Sequence, residues 1–325
     1  MSGAHPTAGP LRDRRPRLAG LILAGLATLP LLGALGADSY VLLLVTRVMI
    51  FAVAAISLDL ILGYGAMVSF GHAAFMGIGA YAVGILATHG IEDLLAQAGV
   101  AILVSAGFAA LTGAVSLRTK GVHFIMITLA FGQMAFFLAV SLAAYGGDDG
   151  LTIARRSTVL GAEWLGNATI FYYLVLAVLA ATLLACRALV AARFGRVLRG
   201  TRENPVRMQA IGFEPFRYQL TAYVISGAIC GLSGVLIANQ TNFISPAYMA
   251  WQRSGELIVM VVLGGMGTLI GPLIGALAYL LIEEWLAGIT EHWKMIFGPL
   301  LILVVLHARG GLVGAITRIT GGRHG

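Results

Sequence analysis

The stretch Tyr40-Val-Leu-Leu-Leu-Val-Thr-Arg47-Val-Met-Ile-Phe-Ala-Val-Ala-Ala-Ile-Ser57-Leu-Asp59-Leu-Ile-Leu62 holds 23 residues, of which only Arg47 and Asp59 carry charge. A helix rises about 1.5 Å per residue, so about 20 apolar residues cover the roughly 30 Å hydrocarbon layer of a bilayer. This run is long enough to cross. The same rule, applied outward in both directions, marks 18–36, 66–88, 95–117, 121–145, 168–190 and 218–240. The apolar region 254–308 is cut at Gly264-Gly265-Met266-Gly267 and again at Thr290-Glu291-His292, which divides it into 254–266, 269–288 and 294–308. The expectation is an all-α, polytopic transmembrane bundle of about ten membrane segments, the eighth too short for a straight crossing and others short or broken.

Composition agrees. Apolar residues make up 59% of the chain and charged residues 11%, against about 45–50% and about 25% in soluble domains, too little polar surface to cover a water-soluble globule. Glycine supplies 43 of 325 residues, which suits membrane helices whose backbones approach closely. The two cysteines, Cys186 and Cys230, sit in separate apolar runs and form neither a disulfide framework nor a zinc cluster. The net charge of +7 comes from basic residues lying in the connections between apolar segments. It reports orientation in a membrane, and nucleic acid is not an expected partner. With a cytoplasmic N-terminus, 16 of the 21 Lys and Arg residues fall on the inner side. Both termini are then cytoplasmic, with a basic tail 1–17, a membrane domain 18–308 and a C-terminal tail 309–325. The basic start 1–17 and the apolar run behind it read as an uncleaved first helix, since no clear small-residue cleavage site follows.

Two connections are long enough to carry function, an external one over 146–167 and a cytoplasmic one over 191–217. Within the second, Asn204 is a good N-cap, Pro205 suits the first helical position and Gly212 can close the end, so a helix of about two turns is predicted there. Val206, Met208, Ala210 and Ile211 give it apolar surface, and Glu203 precedes its positive end. A helix this short needs another surface to pack on.

The segment Arg202-Glu203-Asn204 through Arg207 to Ile211-Gly212-Phe213 resembles the pattern that follows a membrane helix in permeases of branched-chain amino acid ABC transporters. The likeness extends to Gly63-Tyr64 through Ser69-Phe70-Gly71-His72-Ala73-Ala74-Phe75, to Leu117-Arg118 through Thr128-Leu129-Ala130-Phe131, and to Leu263-Gly264-Gly265-Met266-Gly267-Thr268 with Gly271-Pro272. Four separated motifs occur in the family's order. Asp59 departs from it, standing where many members carry Asn, and 18–36 matches no motif.

The resemblance implies an ABC importer permease fold that moves leucine, isoleucine and valine, with urea, amides or other amino acids as alternative solutes. It also implies a heterodimer with a second related permease, two cytoplasmic ATP-binding subunits, an external solute-binding protein and an inner-membrane location. ATP and magnesium belong on the partner ATPases, since no phosphate-binding Gly-x-x-x-x-Gly-Lys-(Ser/Thr) occurs here and this chain is expected to bind no cofactor or metal. The resemblance makes Arg202, Glu203, Asn204, Pro205, Val206, Arg207, Ala210, Ile211 and Gly212 the contact to the ATPase.

Polar groups within apolar runs are candidates for a translocation path, because they are costly unless paired or hydrated. They are Asp59, Ser69, His72, Thr128 and Gln133, with Phe75 inside the same motif. Ser69 and His72, three residues apart, are expected on one helix face. Packing and internal hydrogen bonds are the competing account of all of them, and of Arg47. An ion-driven secondary transporter would use carboxylates near the midplane, where only Asp59 comes close. An intramembrane enzyme would need a nucleophile with its base, which no spacing supplies. Gly65 and Gly71 recur as Gly265 and Gly271 before similar apolar runs, a hint of internal duplication.

Overall fold

The computed structural model describes residues 15–33, 39–159, 161–290, 292, 295–299 and 310–314. Helices follow the apolar runs: α1 Arg15–Gly33, α2 Ser39–Leu62, α3 His72–Thr88, α4 Leu94–Ser116, α5 Val122–Ser141 and α6 Ala168–Ala191. After them come α7 Arg193–Glu203, α8 Pro205–Ala210, α9 Pro215–Thr241, α10 Trp251–Gly264 and α11 Gly271–Ala287. Five of these, α2, α4, α5, α6 and α9, are long and apolar enough to cross a membrane. The expected tenth segment, 294–308, and the tails 1–17 and 309–325 fall largely outside the described residues.

α2 is the axis of the bundle. From Val48 to Ile61 its side chains are buried all round, because α6, α9, α10 and α11 pack about it. α9 is its main companion and also packs on α3 and α4. Close approach of α3 and α9 depends on glycine: a Cβ on Gly79 would strike the carbonyl of Gly231, and one on Gly234 would strike that of Met76. α5 is held mainly by α3, α4 and the turn at Pro246–Met249, and it leaves Met126, Met134, Phe137 and Leu138 exposed.

The two ends of the bundle differ. At one, β1 Leu151–Thr152 pairs antiparallel with β2 Phe243–Ile244, Leu151 opposite Ile244. There Arg156 donates to the carbonyls of Asn239 (3.1 Å) and Leu165 (3.0 Å) and stacks on Phe171, while the Asn239 side chain accepts from the Ser157 amide at 2.7 Å. The connection 146–167 is thereby fixed to α6 and α9. The other end carries α7 and α8. α9, with 27 residues at about 1.5 Å each, separates the ends by about 40 Å.

Three expectations change. The segment 66–88 is helical only from His72; residues 63–71 form turns and extended chain, with Ala66 at φ 55°. The segment 121–145 ends as an α-helix at Ser141, where a short 3₁₀ turn leads to Gly146 in the left-handed region. The connection 191–217 contains two helices, since α7 precedes the expected one; its Val197, Leu198 and Thr201 are buried while its basic residues line the other side.

Candidate functional site: the α8 end of the bundle

α8 forms as its local chemistry requires. The Asn204 side chain accepts from the Arg207 amide at 2.9 Å, Pro205 occupies the first turn and Gly212 closes the end at φ 87°. Met208 is its anchor: it is buried against Gly200 of α7, where a Cβ would meet the Met208 thioether. The other apolar residues face out. Val206 is 70% and Ile211 62% exposed, at a bundle end where basic residues crowd. Phe213 turns back toward Tyr218 and lies under the Arg193 guanidinium. Glu203 does not simply lead α8: it is the last residue of α7, so the favourable field from α8 is opposed by the negative end of α7.

Behind α8 lie two interruptions in the membrane helices, 63–71 between α2 and α3 and 265–270 between α10 and α11. Asp59 joins them. It has no exposed surface, and its carboxylate accepts from the amides of Gly267 (2.7 Å) and Leu269 (3.3 Å). The sequence offered Asp59 as a path candidate with internal hydrogen bonding as the competing account; in the fold it holds a neighbouring turn through backbone amides. Gly63 has no room for a Cβ between Asp59 and Gly267, and Arg202, from the last turn of α7, donates to the Gly63 carbonyl. The repeated glycines noted in sequence are thus two chain breaks in contact. An open cavity of about 430 Å³ separates the first break from α8, lined by Ala66, Lys120, Thr201, Arg202, Gln209 and Gln219 among others.

The expected path residues separate into two groups. Ser69 and His72 do not share a helix face, because Ser69 lies in the unwound segment and His72 opens α3. Glycines at 63, 65 and 71 and the left-handed Ala66 prevent the helix from starting earlier. Both side chains are buried in protein: His72 Nε2 lies 2.9 Å from Ser57 Oγ, and Ser69 Oγ lies 3.5 Å from Tyr223 Oη. Phe75 packs edge-on between His72, Phe108 and Tyr223. Thr128 bonds to the Ile125 carbonyl and receives the Phe70 amide. Gln133, half-buried on α5, is the exception, with no side-chain hydrogen bond among the described residues. Ser254 of α10 plays a part that sequence did not suggest, capping the Ala73 amide at the start of α3 at 3.0 Å.

A second polar cluster, toward the β1–β2 end, was missed because its members are divided among three separate membrane segments, with Arg253 just ahead of the segment 254–266. Arg253 and Glu256 lie one turn apart on α10 and pair at 2.7 Å. Glu284, on α11, accepts from the Tyr40 hydroxyl. Arg47 on α2 lies 5.8 Å from the centre of the Phe51 ring. The signal available in sequence was the Arg-x-x-Glu spacing at 253–256 and the carboxylates at 283–284, both flanked by apolar residues.

A model of the branched-chain amino acid transport system permease component matches residues 40–306. The chain is 27% identical over 294 residues to the high-affinity branched-chain amino acid transport system permease protein LivM of Salmonella typhimurium, covering 82% of this chain and 68% of that one. It is also 26% identical over 315 residues to a probable branched-chain amino acid transport permease protein LivM of Methanocaldococcus jannaschii, covering 81% and 90%. Likeness to the permease protein LivH of Salmonella typhimurium is 27% over 286 residues, covering 81% and 91%. No solved structure matches the chain.

Proposed function

The chain belongs to the family of branched-chain amino acid transport system permease components, and from that premise we propose that it is one of two related membrane subunits of an ATP-driven importer for leucine, isoleucine and valine. The observation that carries the ATP-driven reading is α8, a capped helix that exposes Val206 and Ile211 at the basic end of the bundle. Exposed apolar groups on a short helix in water are unfavourable unless a partner covers them. Cytoplasmic ATPase subunits, which would bind the ATP and magnesium, are that partner. Likeness to both a LivM and a LivH protein supports pairing with a related permease.

In this reading the α8 end is cytoplasmic, the β1–β2 end faces the external binding protein, and the membrane domain 18–308 makes about ten passages between cytoplasmic tails. Movement of α8 reaches the membrane through Arg202 on Gly63 and through Asp59 on Gly267 and Leu269. Both helix breaks then move together, which is what alternating access by rocking of packed elements requires.

The test is ATP-dependent uptake of labelled leucine by vesicles holding the permease, its partner subunits and binding protein. Val206→Asp with Ile211→Asp is expected to abolish uptake while the permease remains folded. Uptake that follows a proton or sodium gradient and ignores ATP would overturn the proposal.

A further inference from the structure

At the β1–β2 end, α2, α9, α10 and α11 line an open cavity of about 360 Å³, within the range of roughly 300–1,000 Å³ typical of small-molecule sites. Its walls have two characters. Leu43, Leu44, Phe51 and Ile237 form an apolar side, while Arg47, Gln240, Arg253 and Glu284 form a polar one. Arg47 lies eight residues into α2, about 12 Å below the helix start, a depth at which a charge needs a partner or a function. Among the described residues it forms no ion pair, whereas Arg253 is engaged by Glu256. Gln240 spends its amide on the Leu43 carbonyl at 2.7 Å, and its own oxygen is buried without a donor.

We propose that this cavity is a binding site for the zwitterionic head and apolar side chain of an α-amino acid, entered from the β1–β2 end. Arg47 takes the carboxylate, because a guanidinium offers a donor fork matched to two oxygens. The ammonium group goes to Glu284 and the Gln240 oxygen, which supply a negative charge and the missing acceptor. The side chain lies against Leu44, Phe51 and Ile237. Phe51 and Ile237 are buried, so the apolar wall sets a size limit. Neither an anion nor an amine alone satisfies both polar ends.

This site rests on the transport reading above and names where the permease itself meets its solute. Uptake into proteoliposomes is measured for the full transporter, with leucine, leucinamide, isoamylamine and valine as labelled solutes or competitors. The unaltered protein is expected to take leucine and to be competed poorly by leucinamide, which lacks the carboxylate. Arg47→Ala is expected to lower leucine uptake by about tenfold or more, the loss of one charge-assisted hydrogen bond, and to erase the preference over leucinamide. Arg47→Lys restores part of both.

Leu44→Trp supplies a readout that folding alone does not move. It narrows the apolar side and is expected to shift the ratio of uptake from leucine toward valine. Leucine uptake and selectivity unchanged in Arg47→Ala and Leu44→Trp would overturn the site. An effect of Arg47→Ala that appears only when anionic lipid is present, with solute preference unaltered, would overturn it too, by assigning the guanidinium to a lipid headgroup. Failure of the parent importer reading looks different: the unaltered protein then shows no ATP-dependent uptake at all.

Discussion

Asp59 shows how a charge can be kept where bilayer and protein both disfavour it. Its two oxygens satisfy two backbone amides of a turn that has no helix to supply acceptors, and an unsatisfied buried amide costs about 1–3 kcal/mol. Asp59→Ala leaves both amides bare and is expected to lower the midpoint of thermal unfolding in detergent. Asp59→Asn keeps one acceptor but turns an amide group toward the other donor, so an intermediate loss is expected; equal midpoints for all three proteins would refute this role. Arg156 presents the complementary case outside the membrane segments. Burial lowers its pKa, and three fixed contacts hold the cation in place. A lysine cannot reach both carbonyls with planar geometry, so Arg156→Lys is expected to loosen 146–167, read as faster proteolysis at that connection. At this scale the sequence was only partly legible. It named Asp59 and Thr128 as polar groups in apolar runs, but whether such a group faces a cavity or a backbone amide depends on partners 58 to 210 positions away, and no spacing reports those.

Elements were legible where local chemistry decides them. Asn204, Pro205 and Gly212 specify both ends of α8, and the apolar runs specify α2, α4, α6 and α9 within a few residues. α7 was missed because a run with four arginines among eleven residues lacks both the apolar content that marked the membrane helices and the caps that marked α8, although its Val197, Leu198 and Thr201 share one buried face. The start of α3 was misplaced for the opposite reason. Residues 66–71 are apolar enough to be membrane helix, but Ala66 is left-handed and the chain is not helical until His72, and Gly71 lies where a Cβ would strike the Thr128 carbonyl. Two tests belong at this scale. Asn204→Ala removes the cap of α8, worth about 1 kcal/mol, and is expected to reduce coupled uptake while leaving the unfolding midpoint of the membrane bundle nearly unchanged, since α8 contributes little to the core. Gly79→Val places a branched side chain against the Gly231 carbonyl where α3 crosses α9. It is expected to prevent stable accumulation of the protein in membranes, measured by detergent-resistant monodisperse yield; normal yield would show that the helices can separate without penalty.

For the whole molecule, the asymmetry of its ends carries the mechanism. One end is stiff: the β1–β2 pair, the Arg156 contacts and the Gln97–Ser157 hydrogen bond tie α4, α6 and α9 to a single connection. The other end has a short helix anchored by one methionine, two breaks in contact, and an open cavity between that helix and the first break. Work delivered at α8 would deform the second end before the first, so the breaks act as hinges and the β1–β2 end as the fixed frame. In the proposed orientation the α7–α8 end meets the cytoplasm, because basic residues concentrate there and resist translocation. Single cysteines test both points at once. Val206→Cys is expected to react with a membrane-impermeant maleimide only in inside-out vesicles, and Thr152→Cys only in right-side-out ones. In the assembled importer, trapping the ATPases closed should change the reactivity of Ala66→Cys at the first break but not that of Thr152→Cys. Reactivity that changes at both ends would mean that the bundle tilts as one rigid body, and the two breaks would then lose their place as hinges.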